Sequence, residues 1–187
     1  MTKAKPWSPN ADDLRALTEH LYYEVQMTFG LGAWLVHSQG TVLNQTARNA
    51  EVEAFTIHVR QLIDFLWMEQ PQDSKKRDAF AADYFAPGEW DKLRPARPQI
   101  LEPALRRKVG WGVAHLTYDR AWSTPQDKQW NPVALGCALA PAVVCFADNV
   151  DPAKLDPQWP VDDMKTLADA FLATFGTWVS VSTATQA

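Results

Sequence analysis

The chain has 187 residues, 47% hydrophobic and 21% charged, with nine tryptophans, which suits one packed domain and excludes a disordered chain or two full-sized domains. A net charge of −4 and a pI near 5.5 exclude the general phosphate attraction of a basic nucleic-acid binder, so any such site has to be local. Cys137 and Cys145 are the only cysteines, too few for a disulfide framework and wrongly spaced for a zinc ribbon.

The start, Met1 to Asn10, is polar and holds Pro6 and Pro9 rather than a secretory-type apolar run, so an unexported, cytoplasmic chain is expected. Ser8 or Asn10 then caps a first helix, with Asp12 and Asp13 in the first turn, where carboxylates suit the helix dipole. Leu14, Leu17, Leu21 and Val25 recur at helical spacing. Gly30 and Gly32 predict a break or bend, with Ala33 to His37 continuing to a turn around Ser38-Gln39-Gly40. The clearest helix is expected from about Thr46 to Trp67, with Phe55, His58, Leu62, Phe65 and Leu66 on one face and Arg60, Gln61 and Asp64 opposite.

Pro71 ends that helix, and residues 70–77 read as a polar loop. A short helix or turn over 78–85 is closed by Pro87-Gly88, with Tyr84, Phe85 and Trp90 as anchors. Pro98 or Pro103 opens the next helix, which runs to about Tyr118 on Leu101, Leu105, Val109 and Leu116. The apolar run from Pro132 to Ala147 is interrupted by Gly136 and Pro141 and falls short of the roughly 20 residues a bilayer requires. It reads as buried core, either a helix pair or short strands. A loop over 148–160 leads to a last helix from Val161, with Met164, Leu167, Phe171, Phe175 and Trp178 at helical spacing and a frayed end over 182–187. The expected fold is all-α, an up-and-down bundle of four to six helices, forming one domain over 1–187 with an insertion around 121–160.

Few residues carry chemistry. His58, on an apolar helix face, needs partners for its ring nitrogens, and a satisfied core histidine is the plain reading. Arg60 and Asp64 stand at i and i+4 and form an ion pair on a solvated face. The segment Arg106 to Arg120 gathers cations, His115 and Tyr118 around one helix, with Lys108 and His115 two turns apart on one face. A cation beside a titratable base suits phosphate binding or activation of an RNA 2′-hydroxyl. Gly110 and Gly112 each cost about 1 kcal/mol inside a helix and point to close approach, a kink or a ligand. No Walker loop, dinucleotide fingerprint, zinc-protease motif or nucleophile elbow occurs. A metal held by His58, His115 and Asp64 or Asp119 has little support from spacing, so neither metal nor cofactor is expected.

Two segments, Asn49 to Leu66 and Val113 to Arg120, resemble a family of uncharacterised bacterial proteins associated with HEPN-like helical bundles, named for higher eukaryotes and prokaryotes nucleotide-binding. The resemblance covers about a quarter of the chain. It implies a homodimeric bundle directed at RNA or a nucleotide, with many members being ribonucleases of toxin or phage-defence systems. Active members carry arginine, then a polar residue such as asparagine, then histidine four to six residues after the arginine. His115 matches the histidine, whereas Arg107 and Lys108 stand eight and seven residues before it and Gly110 takes the polar position. The resemblance implies His115 as acid or base, Lys108 or Arg107 as phosphate partners, and a polar cluster of Arg60, Asp64, Tyr118, Arg120 and His58. The alternatives are an inactive helical dimerisation module with a protein partner and, third, a metal-dependent hydrolase. No membrane association is expected.

Overall fold

A computed structural model describes residues 8–38, 44–68, 78–109, 113, 124 and 129–184. These contain six α-helices and no strand: α1 Ala11–His37, α2 Gln45–Trp67, α3 Glu89–Leu93, α4 Pro103–Val109, α5 Pro132–Asn149 and α6 Val161–Ala184. The all-α expectation holds. Asn10 is the cap of α1. Its side-chain oxygen accepts from the backbone N–H groups of Asp12 and Asp13 at 2.8 and 3.0 Å, and the Asp13 carboxylate accepts from the Asn10 N–H at 2.9 Å. This reciprocal arrangement satisfies the donors that a helix start leaves open.

Helices α1 and α2 are antiparallel, since Trp34 meets Glu51 while the earlier Glu24 meets the later His58. Along α6 the partners run the other way. Trp159 lies against Tyr22, Phe171 against Phe29 and Phe175 against His37, so α1 and α6 are parallel. The connection over 150–160, which includes a 3-10 turn at Pro152–Lys154, returns the chain so that α5 and α6 are antiparallel, with Asp148 near the end of α5 bonded to Lys165 near the start of α6.

Two expectations are corrected. Helix α1 passes through Gly30 and Gly32 without a break. A Cβ at Gly32 would lie 3.1 Å from Phe171 and 3.2 Å from Phe55, so this glycine admits two rings rather than ending the helix. The run after Pro132 is one helix rather than a helix pair or strands, continuing through Gly136 and Pro141. Packing overrides the local breakers: a Cβ at Gly136 would fall 2.6 Å from Phe171 Cζ, while Pro141 is exposed, on the side of α5 away from the core. Phe171 is thus seated between two glycines, and burying such a ring contributes roughly 1.5–3 kcal/mol. By length and composition α5 could cross a membrane, yet 44% of it is buried within the bundle, against α1, α2 and α6.

The excursion after α2 is anchored on the C-terminus of that helix. Trp90 Nε1 donates to the Leu66 carbonyl at 2.8 Å, Arg94 Nη1 donates to the Trp67 carbonyl at 3.1 Å, and Trp67 Nε1 donates to the Pro95 carbonyl at 3.1 Å. The first two bonds answer carbonyls that the end of α2 leaves open, and the third ties the α2 terminus back to the excursion. Phe65, Tyr84, Phe85 and Trp90 surround Phe146 of α5 with ring centroids 5.3 to 5.9 Å away. This aromatic cluster fixes the segment from Phe80 onward and so shapes one rim of the cleft described next.

Candidate functional site

Leu17, Leu21 and Phe65 face the core where α1 crosses α2, and polar side chains border that apolar stripe. On α1 these are His20 and Glu24; on α2 they are Arg60, Gln61 and Asp64. Together with Met68, Asp78 and Phe80 they line a cavity of about 350 Å³, within the size range of small-ligand sites.

Two pairs organise its wall. Glu24 Oε2 lies 2.7 Å from His58 Nδ1, joining the helices. Arg60 Nε lies 3.6 Å from Asp64 Oδ2 within α2, a charge contact longer than a hydrogen bond. His58 is buried and Tyr23 stands edge-on to its ring at 5.3 Å. The imidazole therefore lies behind the cleft, held against the carboxylate that lines it. A carboxylate on Nδ1 fixes both the ring's orientation and the carboxylate's own rotamer.

The residues expected to act together fall in different places. His58, Arg60 and Asp64 are all at or behind the cleft, and the expected Arg60–Asp64 pair is present, though partly buried rather than on a solvated face. Lys108 and Arg107 are on α4, which also packs on α2. Lys108 Nζ donates to the Gln129 carbonyl at 2.7 Å and sits 4.3 Å from the Trp130 ring centroid, so its charge is occupied in joining α4 to the approach to α5. Arg107 is exposed. His115, Tyr118, Asp119 and Arg120, with Gly110 and Gly112, lie outside the described residues.

Sequence reasoning missed His20, Glu24 and Asp78. A usable signal existed for two of them: His20 and Glu24 are an i, i+4 polar pair immediately beside Leu17 and Leu21 on the helix. Among the described residues no group of three or more His, Cys, Asp or Glu is placed to hold a metal. Burial pushes the thiols of Cys137 and Cys145 up, and Asp148 adds to the effect at Cys145. Cys145 Sγ donates to the Leu93 carbonyl at 3.2 Å.

No family model, curated protein or solved structure matches the chain. Its residues and their geometry therefore carry the functional argument.

Proposed function

We propose that the chain is a HEPN-like helical-bundle domain, cytoplasmic and homodimeric, that binds RNA or a nucleotide rather than cleaving RNA. The observation that carries the reading is the α1–α2 cleft, where Glu24, Arg60 and Asp64 from two helices stand around one cavity with the Phe65 and Phe80 rings in its lining. Carboxylates accept from base amino groups and ribose hydroxyls, and aromatic walls suit a base. Binding is favoured over cleavage because Lys108, one of the two phosphate partners that the resemblance implies for His115, is engaged with Gln129 and Trp130. Charge stabilisation at a reacting phosphate requires donors aimed at that phosphate.

The test is fluorescence polarisation of a labelled mixed-sequence single-stranded RNA and of labelled mononucleotides, with the RNA's integrity followed on a gel. Saturable binding with intact RNA is the expected result. Cleavage that survives EDTA and disappears in His115→Ala would replace binding with ribonuclease activity, cleavage lost only in EDTA would point to the metal-dependent hydrolase, and absence of binding by every probe would reject the proposal.

A second reading, a helical dimerisation or interaction module with a protein partner, is favoured by a specific observation: Tyr23, Trp34 and Ile57 are exposed by 47%, 54% and 42% along α1 and α2. Large apolar side chains grouped on one face mark interaction surfaces. Sedimentation of the wild type beside Tyr23→Ser/Ile57→Ser tests this face: a self-association that the substitutions abolish, in a chain that binds neither RNA nor a mononucleotide, would favour this reading over the binder.

A further inference from the structure

Glu24 fixes more than the orientation of His58. An ionised carboxylate can only accept hydrogen bonds, so the 2.7 Å contact between Glu24 Oε2 and His58 Nδ1 places the ring proton on Nδ1. The neutral imidazole then carries a lone pair on Nε2, on the far side of the ring from Glu24. That atom makes no hydrogen bond among the described residues. It is not sealed in the core either. The side chain keeps 11% of its surface, and Nε2 is not closed off from solvent in the way that the unpaired Thr28 Oγ1 is.

An imidazole with one nitrogen committed and the other left open is an acceptor prepared in advance. Glu24 holds one side of the ring and Tyr23 stands edge-on to it with centroids 5.3 Å apart, so the Nε2 lone pair keeps one direction. An acceptor held in place before binding loses little rotamer freedom when a ligand arrives. One lone pair matches one donor. Base edges are read through paired donors and acceptors, which a single nitrogen does not answer, whereas a hydroxyl offers a single O–H. In RNA the hydroxyl that each nucleotide carries, whatever its base, is the ribose 2′-hydroxyl, the group that separates RNA from DNA.

We infer that His58 Nε2, its lone pair set by Glu24, accepts a hydrogen bond from a ribose 2′-hydroxyl and so makes the chain prefer ribonucleotides to their deoxy counterparts. The inference rests on the RNA- or nucleotide-binding reading proposed above and adds the sugar as the feature recognised. Glu24 is then a positioning residue, acting through the imidazole.

Fluorescence polarisation on the full chain with three single-stranded probes of one mixed sequence, all-ribo, all-deoxy and all-2′-fluoro, tests this; mononucleotides in the same three forms serve if only they bind. The 2′-fluoro probe keeps the sugar pucker of RNA but has no 2′ donor. The ribo probe should bind about threefold to tenfold more tightly than either of the others, the effect of one hydrogen bond between neutral partners. His58→Asn keeps a side-chain N–H where Nδ1 donates to Glu24 and removes Nε2. In that variant, shown folded by circular dichroism, the three probes should bind alike. If His58→Asn does not fold, the 15N resonance of Nε2 in the wild type decides: it should shift on saturation with the ribo probe and hold its place with the 2′-fluoro probe. A ribo preference that survives in folded His58→Asn, or an Nε2 resonance that the ribo probe leaves unmoved, overturns the inference. Equal binding of the ribo and 2′-fluoro probes by the wild type overturns it and leaves RNA binding standing, whereas binding of no probe of either length overturns both.

Discussion

Glu24 and His58, 34 residues apart in the chain, meet across the α1–α2 seam with 2.7 Å between Oε2 and Nδ1. The contact ties together the two helices that line the cleft, and it gives a buried imidazole the partner that burial demands. Removing either member leaves the other's polar atom poorly satisfied, which costs about 1–3 kcal/mol. A double-mutant cycle on Glu24→Gln and His58→Leu, read by urea unfolding at pH 7, should return a coupling of about 1 kcal/mol or more. Additive effects would show that the two residues do not support each other.

Gly32 and Gly136 leave the space that the Phe171 ring fills, whereas Gly30 in α1 borders open space. A methyl at Gly136 would stand 2.6 Å from Phe171 Cζ, and the ring already lies close to the α1 backbone at Gly32, within 3.1 Å of where a side chain there would begin, so it has little space in which to shift. Gly136→Ala should therefore destabilise by about 1–3 kcal/mol through overpacking. At Gly30, also in α1, a methyl would meet nothing within 4 Å, and Gly30→Ala should stabilise by about 0.5–1 kcal/mol through helix propensity. Thermal melts of the two variants should move in opposite directions.

Tyr84 predicts an alkaline limit. Its hydroxyl is buried and donates to the Leu14 carbonyl at 3.0 Å. Burial, with a smaller contribution from the Asp83 charge, pushes its ionisation well above the ordinary tyrosine range. Below a pH of about 10 the hydroxyl is protonated in both the folded and the unfolded chain, so its contribution is constant there. Above that pH the unfolded chain ionises first and stability falls as pH rises toward the folded value. Tyr84→Phe should cost about 1 kcal/mol at neutral pH and flatten the loss of stability above that limit. A variant whose alkaline unfolding follows the wild type would remove Tyr84 as its source.

The Asn10 cap is the most local feature with a measurable effect. Asn10→Ala removes the acceptor for two backbone donors and breaks the reciprocal bond arrangement with Asp13. A loss of about 1 kcal/mol in unfolding free energy is expected, with Asn10→Ser retaining most of it. Equal losses in both variants would mean that the side-chain bond to the helix start contributes nothing.

By itself the sequence determined the helical class and most of the long helices. Leu14, Leu17, Leu21 and Val25 mark α1, Phe55 to Leu66 mark α2, and Met164 to Phe175 mark α6, because a stripe at helical spacing can be buried in only one way. The anchoring of Tyr84, Phe85 and Trp90 was legible for a related reason: large aromatic side chains beside a proline-glycine turn have to be buried somewhere. What only tertiary structure decided was the fate of the local exceptions. Gly32 and Gly136 are breakers by propensity, yet the Phe171 ring needs the space between two helices that they leave open, a requirement no window of neighbouring residues contains. The site was divided in the same way. The Arg60–Asp64 pair follows from helical spacing within α2, whereas the partner of His58 is Glu24 on another helix. Local periodicity sets which face a side chain takes, but only the register of α1 against α2 brings a carboxylate to that imidazole and opens a cleft beside it.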